Sequence, residues 1–159
     1  MSTNNINQNL TNLASPKIGT KIIEVSDDFF GKASRMLDDK EPVFIEDKYD
    51  EHGKWMDGWE SKRRRDGGND WAIIELGSPG IITEIDIDTS FFTGNFPPFA
   101  SIEGLYSDQK PSKDSDWIEI ISKTSLKGDS INKFKIQSKT KLNYIKLQIF
   151  PDGGVARLR

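Results

Sequence analysis

The chain has 159 residues, 35% of them hydrophobic and 30% charged, enough to close one soluble core and about one domain long. Its net charge of -3 argues against a general nucleic-acid binder, and the absence of cysteine removes disulfides, thiolate metal sites and thiol nucleophiles. A single histidine, His52, removes any site built on two imidazoles of one chain.

The first residues are polar and lack the basic end and apolar core of a signal peptide, and no apolar run approaches ~20 residues. The expectation is a cytoplasmic protein with neither nucleic acid nor membrane as a partner. Residues 1–10, rich in asparagine, read as a flexible tail, and residues 11–159 as one domain.

Residues 21–25 (KIIEV) form a first apolar run of strand length. Ser26 precedes Asp27 and Asp28, and Ala33, Met36 and Leu37 follow at helical spacing, which predicts a short capped helix. Residues 42–45 read as a further extended piece. After the turn residues 66–70, residues 71–76 read as a strand. Residues 81–89 alternate, with Thr83, Ile85, Ile87 and Thr89 on one face and Glu84, Asp86 and Asp88 on the other, the clearest half-buried strand in the chain. Residues 93–98 form a rigid aromatic loop. Strands follow over 101–106, 117–121, 133–136 and 143–150, the last with Ile145, Leu147 and Ile149 on one face. Seven or eight short strands with frequent turns and short peripheral helices predict an all-β fold, a β-sandwich of jelly-roll type.

Between Gly53 and Trp71 the chain gathers three of its four tryptophans (Trp55, Trp59, Trp71), the acids Asp57 and Glu60, and the triplet Arg63, Arg64 and Arg65. Rigid aromatics beside clustered charges suit a wall that positions a small polar molecule. The plainer alternative is that Trp55 and Trp59, four apart, pack one helical face while the basic run is a solvated surface.

Five segments, DDFFGKA (27–33), GKWMDGWESKRRR (53–65), NDWAIIELG (69–77), IDIDTSFFTGNFPP (85–98) and PDGGVARLR (151–159), together closely resemble the allantoicase family, in the same order over residues 12–159. The resemblance implies a galactose-binding-like jelly roll and the hydrolysis of allantoate to ureidoglycolate and urea in purine breakdown. It implies assembly into oligomers and two such domains in tandem, of which this chain resembles the first, without its final strand and without the second repeat. Asn69 stands where the family often has histidine.

Allantoate carries a carboxylate and two ureido arms on one carbon. A site for it needs a fork of donors, acceptors for ureido N–H groups, and a group that protonates the leaving nitrogen. Arg63, Arg64, Arg65 and Arg157 are candidate carboxylate clamps; on an extended segment Arg64 faces away from its two neighbours. Arg64, Arg65 and Arg157, with Trp59 as an aromatic wall, are the expected substrate-binding residues. Glu60, Asp57 and Asp88 are the expected acid and base groups, with Glu103 a further candidate. Burial would raise the pKa of Glu60 and a neighbouring arginine would lower it; a salt bridge to the arginines is the alternative role. Asn95 can accept from and donate to a ureido group at once, or serve as a left-handed turn residue. Residues 152–154 form either an anion-binding turn or a plain hairpin turn. No cofactor is predicted, although carboxylates and waters alone can hold a divalent metal. The alternatives to a hydrolase are a jelly-roll module that binds a ligand without turnover and an inactive fragment.

Overall fold

The computed structural model describes residues 10–159, so the expected tail lies, apart from Leu10, outside the described residues. Twelve strands follow one another: β1 (Lys21–Val25), β2 (Tyr49–Asp50), β3 (Gly53–Lys54), β4 (Trp59–Glu60), β5 (Asp70–Ile81), β6 (Glu84–Asp88), β7 (Phe99–Leu105), β8 (Ile118–Ser125), β9 (Ile131–Lys135), β10 (Lys141–Phe150), β11 (Gly154–Val155) and β12 (Arg157–Leu158). Two 3-10 turns, Pro16–Ile18 and Ala33–Leu37, are the only helical segments among the described residues.

One sheet has the order β1-β5-β10-β7-β8 and the other β12-β6-β9, and every pairing is antiparallel. Two small ladders, β11-β4 and β2-β3, lie outside them. The inner faces follow from alternation. In β10, Ile145, Leu147 and Ile149 are buried, and in β6, Ile85 and Ile87 are. They share one core with Ile74, Ile102, Leu126 and Leu158. Burying each such side chain contributes about 1.5–3 kcal/mol, so these alternating positions fix both the register and the sandwich.

The helix expected over 26–37 shrinks to a 3-10 turn. Ser26 caps nothing: its hydroxyl donates to Asp70 (2.8 Å) and accepts from the Trp71 N–H (2.8 Å), stitching the end of β1 to β5. Residues 42–45 form no strand; Val43 is held by its N–H to Asp57 (3.0 Å). The strand expected to stop at residue 76 continues to Ile81, because β10 pairs with Gly80 and Ile81 after a bulge. Pro79 sits in the bulged stretch, where no ladder N–H is required. Trp55 and Trp59 share no helix: Trp55 lies under Lys48 and Arg35, whereas Trp59 is in β4.

Candidate functional site

Glu60 ends β4, and its backbone is fixed on both edges. Gly154 pairs with it on one side. On the other, its N–H donates to the Gly31 carbonyl (3.0 Å) and its carbonyl accepts from the N–H groups of Phe30 and Gly31 (3.1 Å each). Both glycine partners are sterically required. A Cβ on Gly31 would lie 2.4 Å from the Gly58 carbonyl oxygen, and one on Gly154 would lie 1.9 Å from the ring of Phe92.

From this clamped backbone the Glu60 carboxyl projects half-buried and accepts a hydrogen bond from Asn95 Nδ2 (3.0 Å). Burial raises its pKa above the ordinary carboxylate value, and the Asn95 donor offsets only part of that rise. Asn95 is itself placed by the same frame, because its carbonyl accepts the Gly154 N–H (2.8 Å). Its side-chain oxygen is the remaining acceptor next to the carboxyl. No arginine pairs with Glu60 among the described residues.

The arginine triplet divides. Arg64 folds back, its Nε and Nη2 donating to Asp66 (3.1 and 2.8 Å) and its Nη1 to the fully buried Asp70 (2.9 Å). These bonds hold Asp66 down to about 2 and raise the guanidinium pKa further. Arg63 and Arg65 are exposed and make no ion pair among the described residues. They are the triplet's available cations. The Arg64 N–H donates to Asp152 (2.7 Å), which ties this segment to the turn before β11.

The other expected site residues lie inside the fold. Trp59 is fully buried, with its indole N–H donating to the Asp27 carbonyl (2.8 Å), so it shows no face to a ligand. Arg157 is 1% exposed and donates to the carbonyls of Lys40, Arg35, Asp57 and Ala156 and to the Asp57 carboxylate (2.8 Å). Asp57 is consumed by that pair and by the Val43 N–H. Asp88 is buried and accepts the Ser90 N–H (2.8 Å), opening the loop that carries Asn95. Glu103 faces outward on the five-stranded sheet with Gln148 and Lys146. In the 152–154 turn the amides serve the protein: Gly153 donates to Ser61 Oγ (3.2 Å) and Gly154 to Asn95. Gly153, at φ 138, adopts a backbone that only glycine takes readily. Among the described residues no three His, Cys, Asp or Glu side chains gather into a group that could hold a metal ion, and no helix is long and apolar enough to cross a membrane.

Sequence reasoning did not identify two aromatic stacks on the surface. Phe91, four residues before Asn95, has φ 71 and is 40% exposed; its N–H is held by Asp129 (2.8 Å) and its ring stacks on Phe44 (5.9 Å between centroids). Phe29, two residues before Gly31, stacks on His52 (4.0 Å). The signal present in the sequence is the doublet Phe91–Phe92 at a strand end: Phe92 is fully buried, so its neighbour has to face outward.

Comparison with known proteins bears on this arrangement. The model of a family described as the allantoicase repeat matches residues 11–159. A probable allantoicase of Acinetobacter baylyi is 50% identical over 150 residues, which are 94% of this chain and 45% of that protein. The crystal structure of allantoicase from Saccharomyces cerevisiae superposes with a TM-score of 0.82 at 34% identity, covering 94% of this chain and 46% of that one. A carbohydrate-binding module from a family 31 glycoside hydrolase of Clostridium perfringens superposes at 0.62 with 12% identity, over 87% of this chain and 88% of that one, which marks the shared jelly-roll fold alone. The chain spans just under half the length of the allantoicases it matches.

Proposed function

This chain belongs to the allantoicase family, and from that membership we propose that it acts in the cytoplasm as a hydrolase of allantoate, yielding ureidoglycolate and urea. The Glu60–Asn95 pair supports this most directly, since it offers a half-buried carboxyl with a raised pKa beside an amide acceptor. Glu60 in its protonated form donates to the departing ureido nitrogen. The bond from that nitrogen to the central carbon breaks, a water oxygen bonds to the carbon, and a proton from the water returns to Glu60. Asn95 Oδ1 accepts from a ureido N–H, and Arg65, with Arg63 beside it, holds the carboxylate. Arg64, Arg157, Asp57, Asp88 and Trp59 serve as the frame that fixes these groups.

The proposal extends to a partner. The exposed rings of Phe44 (48%), Tyr49 (67%) and Phe91, joined by the Phe44–Phe91 stack and by Lys54 lying over Phe44 and Tyr49, form an aromatic border on the surface that a partner can cover. The relatives are more than twice the length of this chain, long enough for a second repeat. A second copy of the chain, standing where such a repeat would, covers this border.

The test is urea release from allantoate by the purified chain, with Glu60→Gln alongside. Turnover that falls about 10²- to 10⁴-fold in the variant, which still melts cooperatively, supports the proposal. Equal rates in the two proteins would remove Glu60 from the chemistry. Allantoate binding without turnover would make the chain a binding module.

A further inference from the structure

Residues 151–154, the turn from β10 into β11, are bonded one by one to the pieces of the candidate site. The Pro151 carbonyl accepts the N–H of Asp70 (3.1 Å), the buried partner of Arg64. Asp152 Oδ2 accepts the Arg64 N–H (2.7 Å). The Gly153 carbonyl accepts the Ser61 N–H (3.1 Å) while its own N–H donates to Ser61 Oγ (3.2 Å), and Gly154 donates to the Asn95 carbonyl (2.8 Å). The turn also rests directly on the Asn95 loop, because a Cβ on Gly153 would lie 2.8 Å from the Asn95 carbonyl oxygen and 2.7 Å from the Pro97 nitrogen.

These bonds divide between the two halves of the site. Those of Gly153 and Gly154 hold the strand of Glu60 and the loop of Asn95. Those of Pro151 and Asp152 hold the arginine segment. Arg64 is thereby fixed twice, its side chain by Asp66 and Asp70 and its main chain by Asp152. A residue pinned at both ends sets how the chain enters and leaves it, and so sets Arg63 and Arg65, both exposed. Asp152 alone of the four turn residues acts through its side chain, which is half-buried and makes no ion pair among the described residues. Its contribution is the placing of one peptide group.

We propose, on the reading of Arg63 and Arg65 as the carboxylate clamp, that Asp152 is the positioning residue of that clamp and so sets the site's preference for a ligand bearing a carboxylate. With the peptide between Arg63 and Arg64 held in advance, the clamp meets the carboxylate without first having to order its own segment. An asparagine at this position keeps an acceptor oxygen for the Arg64 N–H, and an alanine does not. Neither substitution touches the backbone bonds of Gly153 and Gly154, so Glu60 and Asn95 keep their places.

The test compares allantoate with methylenediurea, which keeps both ureido arms on one carbon and lacks the carboxylate. Affinities are read from backbone amide shifts in NMR titrations of the Glu60→Gln chain, in which allantoate persists, and kcat and KM from urea release by the chain with Glu60 in place. Asp152→Ala should weaken allantoate binding by at least about tenfold and raise KM to match, with kcat and the affinity for methylenediurea changed by less than about twofold. Asp152→Asn should keep the affinity for allantoate. Undiminished allantoate binding in Asp152→Ala, an equal loss for both ligands, or Asp152→Asn as weak as Asp152→Ala would each overturn the role of Asp152 and leave the clamp standing. A parent chain that binds allantoate no better than methylenediurea would instead remove the clamp, and the proposed function with it. The affinities decide between these outcomes even in a chain that releases no urea.

Discussion

At the scale of single residues, burial decides which charges are free to do chemistry. Glu60 and Arg157 are both ionisable groups of the conspicuous motifs, but Arg157 is enclosed by acceptors whereas Glu60 keeps an open side. The two groups therefore answer substitution differently, Glu60 through its chemistry and its proton and Arg157 through the fold. Because burial raises the pKa of Glu60 and Asn95 lowers it, Asn95→Ala should move the falling limb of the pH–rate profile to higher pH: a proton donor works only below its pKa, and the variant's is higher. A limb at lower pH would show that Asn95 does not donate to the carboxylate. The same shift sets a stability trend. A carboxyl raised on folding contributes stability that is complete below its unfolded pKa and lost as pH rises through the folded one, so the melting temperature of Glu60→Gln should fall less than that of the parent between acid and neutral pH. For Arg157→Ala the loss is structural. It leaves Asp57 in a nearly closed site without its partner and should cost about 3–5 kcal/mol in denaturant unfolding.

At the scale of elements, what could be read from the sequence was what repeats. The alternation in β6 and β10 is legible because one face of each meets the core at every second residue. The pieces that build the site are two-residue strands, β4, β11 and β12, too short for any period to show, and they exist only because distant segments meet them. Glu60 could be picked out as a candidate from its motif, but its donor Asn95, thirty-five residues away, could be read equally well as a turn residue. The ladder between β4 and β11 also has a steric demand that the sequence shows only as a glycine pair. Gly154→Ala would drive a methyl into the ring of Phe92, which is fully buried and has nowhere to retreat. The expected cost is about 1–3 kcal/mol, read as a lower denaturant midpoint, together with reduced turnover because β11 positions both Glu60 and Asn95. A variant with full stability and full activity would mean that the ladder yields easily and does not position the site.

At the scale of the whole molecule, the jelly roll accounts for the core and carries the Glu60–Asn95 pair but leaves the rings of Phe44, Tyr49 and Phe91 exposed. The positive φ of Phe91, held by Asp129, keeps one of those rings outward at the cost of backbone strain, a conformation that no pattern of residue types reveals. If a second copy covers Phe44, Tyr49 and Phe91, the chain should sediment as a self-associated species, and the urea-releasing activity per milligram should rise with protein concentration along the same curve. Phe44→Glu together with Tyr49→Glu places charges on this border without touching a buried contact, so the melt of the isolated domain should change little. Two carboxylates facing their own copies across an isologous contact repel, and association should weaken by about tenfold or more. The sedimentation boundary should then become that of a monomer, and the concentration dependence of turnover should vanish with it. A double variant that still associates as the parent does would place the partner on another face and leave the aromatic border to the substrate alone.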